Sequence, residues 1–159
     1  MSDPVRVGIA GLGTVGAGTL SLLRDNAQLV RERCGRGVSV VAVSARDRAK
    51  DRGVDLEGLT WHDDPRALVG DADVDVVVEL IGGDSGPALD LVSAALEAGK
   101  PVVTANKALV ALHGTALAGL AEKSDVPLAF EATVAGGIPI IKSLREGLAA
   151  NHISRVYGI

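Results

Sequence analysis

Val5-Arg-Val-Gly-Ile-Ala-Gly-Leu-Gly-Thr-Val-Gly16 is the stretch whose reading decides the fold. Its apolar start reads as a buried strand, and Gly11-x-Gly13-x-x-Gly16 follows at once. From Thr14 to about Arg33 the apolar residues Val15, Leu20, Leu22, Leu23, Leu29 and Val30 recur at helical spacing, with no proline. The glycines therefore sit at a strand-to-helix turn. In such a turn Gly11 permits the tight bend, Gly13 lets backbone approach a pyrophosphate, and Gly16 lets the helix pack on the strand. The open N–H groups of the first helical turn then face the phosphates. The competing account is a glycine turn that serves packing alone, since the chain has 20 glycines.

Composition narrows the class. A chain of 159 residues can bury a core, and with 47% hydrophobic but 2% aromatic residues that core must be Val, Leu, Ile and Ala. This suits parallel strands covered on both faces by helices. A net charge of −4 speaks against nucleic-acid binding. Cys34 is the single cysteine and reads as a free thiol in a reducing compartment. No apolar run reaches the roughly 18 residues of a membrane span. Met1–Pro4 leads straight into the first strand, so no signal peptide is expected either. The expectation is a soluble cytoplasmic protein.

Beyond the first helix, strands and helices alternate with short connections. Strands are predicted at Val38–Ser44, Thr60–His62, Val74–Ile81, Lys100–Thr104 and Val126–Glu131. A short helix opens at Asp64-Pro65, with Asp64 as N-cap, and others run Pro87–Ala98, Ala108–Lys123 and from Gly136-Gly-Ile-Pro139 to near Ala150. The expected fold is α/β, a doubly wound parallel sheet of Rossmann type, with its ligand at the carboxyl ends of the strands. Trp61 is read as packing. The second strand ends Ser44-Ala45-Arg46, where an NAD-selective site would place an acid on the ribose 2′-hydroxyl. Seven of the sixteen Lys and Arg residues lie between Arg31 and Arg52. Arg46 stands where the 2′-phosphate of NADP would lie, a group that guanidinium pairs with well, and Ser44 supports it; the alternative is a solvated basic loop. Gly82 follows the fourth strand and Lys107 the fifth. Lys107 could contact the nicotinamide ribose or a reacting carbonyl, or be an exposed lysine at a helix start, an unfavourable end for a cation. Glu131 could cap the following turn, or join backbone carbonyls around a hard cation.

Three segments carry a family resemblance. Glu79-Leu-Ile-Gly-Gly83, Gly99-Lys-Pro-Val-Val-Thr-Ala-Asn-Lys-Ala-Leu-Val-Ala111 and Glu131-Ala-Thr-Val-Ala-Gly-Gly-Ile-Pro-Ile-Ile141 resemble homoserine dehydrogenase, and Leu144-Arg-Glu-Gly-Leu-Ala-Ala-Asn151 continues the likeness. It runs in order over essentially the whole chain. The resemblance implies reversible reduction of aspartate 4-semialdehyde to homoserine with NAD(P)H, on the route to threonine and methionine. It implies cofactor contacts at Thr14, Val15 and Lys107; Lys107, by its own position after the fifth strand, is also the candidate catalytic group within these residues. It implies a monovalent cation such as Na+, held by the Glu131 carboxylate and the carbonyls of Val134, Gly136 and Ile138. It also implies a domain division: residues 1–151 bind NADP, or NAD, and residues 152–159 begin a substrate and dimerisation domain. The family's Asn-Gly-Thr motif, substrate-binding acids and proton-donating lysine would follow Ile159, and the whole enzyme would be a homodimer. His152–Ile159 alternates like a strand.

Two other functions compete. A non-catalytic NAD(H)-sensing module would use the same glycine turn, but gives no reason for the Lys107 and Glu131 loops. A 2-hydroxy-acid dehydrogenase would want a histidine paired with a carboxylate and a substrate-binding arginine. His62, His113 and His152 show no such setting in the sequence.

Overall fold

The computed structural model describes residues 2–158. Six strands form one parallel sheet in the order β3-β2-β1-β4-β5-β6. They are β1 (Val5–Ala10), β2 (Val38–Ser44), β3 (Thr60–His62), β4 (Val76–Glu79), β5 (Val102–Thr104) and β6 (Leu128–Ala129). The order reverses between β1 and β4, so the chain winds outward in both directions from the centre. Parallel neighbours require crossovers, and helices α1 (Thr14–Asp25), α2 (Ala27–Cys34), α3 (Ala67–Gly70), α4 (Pro87–Glu97) and α5 (Lys107–Lys123) lie on these connections.

Alternation along each strand divides the core between two faces. Val7, Ile9 and Val43 pack with Leu20 of α1 on one face. Ala10, Ala42 and Val77 pack with Leu91 and Leu96 of α4 and Leu109 and Leu117 of α5 on the other. Strands buried on both sides need apolar residues at every position, which is why Val76–Val78 is an unbroken valine run.

Helix ends follow local chemistry. Pro87 stands at the first position of α4, and the Asn106 side chain accepts from the Leu109 amide to cap α5. Asp64 accepts from the Arg66 amide at 2.9 Å in a tight turn, so α3 starts at Ala67, slightly later than Asp64-Pro65 suggests. The helix expected from Thr14 to Arg33 is two helices. Asn26 breaks it: its side-chain amide donates to the Leu22 carbonyl, competing with helical bonding, and α2 buries no residue that would hold it in line.

The ends of the sheet depart further from expectation. β4 stops at Glu79 rather than Ile81, because the Ile81 and Gly82 amides turn onto the Glu79 carboxylate. β6 is two residues long, not six: Pro127 lacks an N–H, and the strand pairs only with β5. The helix expected from Gly136 to Ala150 is one turn, α6 (Ile140–Lys142), followed by a wide turn over Ser143–Gly147. Glycines and a proline disfavour helix there, and neither segment buries a side chain to compensate. His152–Gly158 is exposed and forms no strand, and Ile159 lies outside the described residues.

Candidate functional site

The glycine turn is built by two close approaches. Gly11 has φ +97°, and a Cβ there would meet the Leu80 carbonyl oxygen at 2.4 Å. A Cβ on Gly16 would lie 1.9 Å from the Gly11 carbonyl oxygen. Gly13 differs, since nothing stands within 4 Å of its Cβ position. Two of the glycines therefore serve packing, and the third faces open space at the start of α1.

That space is a cleft of 730 Å³ at the carboxyl ends of β1 to β4. Gly11 and Gly13 line it from β1, Ser44 and Arg46 from β2, Asp63 from β3 and Gly82 from β4. The Gly11 amide donates to the Ser44 carbonyl at 2.8 Å, and the Leu80 amide to the Ala10 carbonyl at 2.7 Å, so the walls are hydrogen-bonded to one another. Another hollow, 760 Å³, lies at the outer edge of β6 between α5 and Arg145. It has neither a glycine turn nor the point of strand-order reversal, the two features that mark a dinucleotide site in such a sheet, and the first cleft has both.

Arg46 is exposed at the cleft rim beside Lys50 and Arg52. The Arg52 guanidinium spans the loop, donating to the carbonyls of Leu12 at 3.2 Å, Lys50 at 2.7 Å and Asp47. It also lies 5.4 Å from the Trp61 ring centroid, with Arg48 at 5.9 Å. Trp61 is therefore packing, as expected, against the apolar cluster of Val7, Ile9 and Val43, and two arginines lie over its ring as well. In the sequence Arg52 is one member of a basic run; its tie to the glycine turn needs the fold.

The remaining candidates do not line the cleft. Thr14 and Val15 are exposed on the first turn of α1, next to the cleft, where helical N–H groups lack intrahelical partners. Lys107 is exposed as the first residue of α5, on the loop after β5, and does not line the cleft. Glu131 caps: its Oε1 accepts from the Ile141 amide at 2.9 Å and its Oε2 from the Lys142 amide at 2.8 Å. Among its proposed carbonyl partners, Ile138 accepts from the Ile140 amide at 2.8 Å. The chain turns there with Ala135 at φ 55° and Gly136 at φ 59°. His62 has a carboxylate partner after all, Asp71 at 2.9 Å, and that bond holds the Asp71 carboxyl below its usual range. Neither side chain lines the cleft.

In the sequence Glu79 stands only as the first residue of a motif, with no role of its own. It is fully buried, and accepts from Thr104 Oγ1 at 2.6 Å and from the amides of Ile81 and Gly82. An acid inside an otherwise apolar strand was the available signal.

A parallel sheet in this order, with a glycine turn leading from its central strand into a helix and a cleft at the reversal point, is a Rossmann-type dinucleotide-binding domain. Comparison with known proteins narrows the class. Residues 11–131 match the family described as homoserine dehydrogenase, NAD binding domain. A homoserine dehydrogenase from Neisseria gonorrhoeae is 50% identical over 156 residues, which is 98% of this chain and 35% of that protein. One from Pseudomonas aeruginosa is 49% identical over the same shares. The crystal structure of a homoserine dehydrogenase from Thiobacillus denitrificans superposes with a TM-score of 0.86 at 50% identity, covering 94% of this chain and 34% of that one. The chain belongs to the homoserine dehydrogenase NAD-binding domain family. It spans about 35% of the length of the curated relatives it matches. These relatives are dehydrogenases, and they lend the sensing-module alternative no support. Among the described residues, no helix is long and apolar enough to cross a membrane.

Proposed function

We propose that this chain binds NADPH in the 730 Å³ cleft, as the cofactor-holding part of an enzyme that reduces aspartate 4-semialdehyde to homoserine. The observation that carries the reading is the pairing of open space at Gly13 with the basic rim of Arg46, Lys50 and Arg52. The first turn of α1, with Thr14 and Val15, receives the pyrophosphate on its open amides. Gly11 and Gly16 hold that turn closed, and Arg46 pairs with the 2′-phosphate. Ser44 and Asp63 leave room for NADH as a weaker ligand. Bound NADPH supplies the hydride. Lys107 orients the nicotinamide ribose or the carbonyl to be reduced, its positive charge opposing the build-up of negative charge on that oxygen. Gly82 bounds the nicotinamide side.

Glu131, with the carbonyls of Val134, Gly136 and Ile138, holds a monovalent cation such as sodium. The donor set fits, because a carboxylate that accepts two amides retains acceptor capacity, and an all-oxygen set suits a hard ion. Equal melting temperatures in sodium and choline chloride would remove this assignment. Substrate and dimer contacts belong to the further length that the relatives have, and residues 152–159 lead into it. A single cysteine, which can form no intramolecular disulfide, is consistent with a reducing compartment such as the cytoplasm.

The test is titration with NADPH and NADH. NADPH is expected to bind more tightly, and Arg46→Ala to lose about 1.5–3 kcal/mol for NADPH alone, the range for hydrogen bonds to charged groups. Equal losses for both nucleotides would take Arg46 out of 2′-phosphate recognition.

A further inference from the structure

An apolar residue at position 79 would complete β4 as Val77 does, so a fully buried acid there needs a reason. Its hydrogen bonds form a closed circuit. Oε1 accepts from the Ile81 and Gly82 amides at 2.8 and 3.1 Å. Oε2 accepts the Thr104 hydroxyl proton at 2.6 Å, and the Thr104 oxygen accepts from the Asn106 amide at 3.0 Å. Asn106 then works in both directions: its Nδ2 donates back to the Gly83 carbonyl, and its Oδ1 accepts from the Leu109 amide at 3.1 Å. Thr104 and Asn106 are buried like Glu79, at 1% and 6% exposure, so water cannot replace any link cheaply. No buried side-chain polar atom among the described residues is left without a partner.

The circuit joins two things that the backbone leaves separate. One is the turn after β4, where Gly82 lines the cleft with φ +83°. The other is the first turn of α5, where Lys107 directly follows Asn106. In a doubly wound sheet each half serves one mononucleotide. Arg46 and the basic rim occupy the half built on β1 to β3, so the β4 and β5 ends face the nicotinamide half.

We infer that Glu79 is a positioning residue: its carboxylate, acting through Thr104 and Asn106, locks the Gly82-Gly83 turn to the start of α5 and so sets the nicotinamide end of the cleft. The inference rests on the NADPH reading above. It makes Glu79 matter for the nicotinamide half and not for the adenine half, a division that a residue needed only for folding would not show.

The experiment compares wild type, Glu79→Gln, Thr104→Val and Thr104→Ser as the 159-residue chain. The probes are NADPH and adenosine 2′,5′-bisphosphate, which carries only the adenine half. Glu79→Gln keeps shape and an acceptor for the two amides but sets an amide donor against the Thr104 hydroxyl. It and Thr104→Val are expected to weaken NADPH about tenfold, the equivalent of one well-formed hydrogen bond. Binding of the bisphosphate is expected to stay unchanged, and Thr104→Ser, which keeps the hydroxyl, to retain NADPH affinity. Amide hydrogen exchange in the unliganded chain gives an independent readout: it should quicken at Gly82 and Leu109 together. Should Thr104→Val fail to fold by circular dichroism, Glu79→Gln carries the comparison. Unaltered NADPH binding, equal losses for the two probes, or faster exchange at Gly82 alone would each overturn the inference. Coupled exchange in a chain whose wild type binds neither probe would instead overturn the NADPH reading.

Discussion

Three glycines of one motif meet three different physical demands. Gly11 needs a positive φ and has the Leu80 carbonyl against its missing Cβ, while Gly16 has the Gly11 carbonyl against its own. A side chain at either must displace backbone. Gly13 carries no such demand, with φ −74° and open space beyond. Gly13→Val is therefore expected to leave the fold intact and abolish dinucleotide binding, since the valine occupies the space a pyrophosphate needs. Circular dichroism with a nucleotide titration checks it, and retained binding would reduce the motif to a packing turn. Gly11→Ala is expected to fail earlier, at folding. Arg46 and Lys107 differ from the glycines: both are exposed and hold no fixed partner among the described residues, so their substitution should touch ligand binding and spare stability.

Among elements, the ties between β1 and β4 combine ladder bonds with one ion-pair cluster. Arg6 reaches Asp75 at 2.8 Å and Asp73 at 2.9 Å, and its backbone amide also donates to Asp75 at 2.8 Å. These bonds pull the Asp75 carboxyl down to about 2. A depressed folded-state value means the contribution is present in full above the ordinary carboxylate value near 3.8, and fades as pH falls toward 2. Asp75→Asn is thus expected to be less stable than wild type at neutral pH, with the gap closing near pH 2. Side chains 37% and 36% exposed keep the effect modest. Denaturant melts at the two pH values measure it, and a gap independent of pH would assign the loss to geometry rather than charge. At the β6 edge of the sheet, β6 and the short α6 bury little, and there the elements shrink below what apolar periodicity suggests.

At the scale of the whole molecule, the proposal separates binding from turnover. The reaction needs a substrate held against the cofactor and a proton for the forming alkoxide. Lys107 is the candidate for that proton among the residues at the strand ends, and it stands outside the cleft. The chain is expected to bind NADPH yet not oxidise it with aspartate 4-semialdehyde. Turnover within about a hundredfold of ordinary enzyme rates, roughly 1–1,000 per second, would show that Lys107 suffices. The apolar residues Ile138, Ile153, Val156 and Tyr157 are exposed, which is consistent with the proposed division between this part and the further length that the relatives have. By itself the sequence determined the class of fold, the succession of strands and helices, and the place of the glycine turn. Those features are written in local periodicity and in glycine and proline, which act within a few residues. The tertiary structure alone decided what the polar groups do. Glu79 meets Thr104 25 residues on, Arg6 meets Asp75 69 residues on, and Arg52 reaches back 40 residues to Leu12. Such pairings follow from strand order and register, which place distant residues side by side, and no local pattern of residue types encodes them.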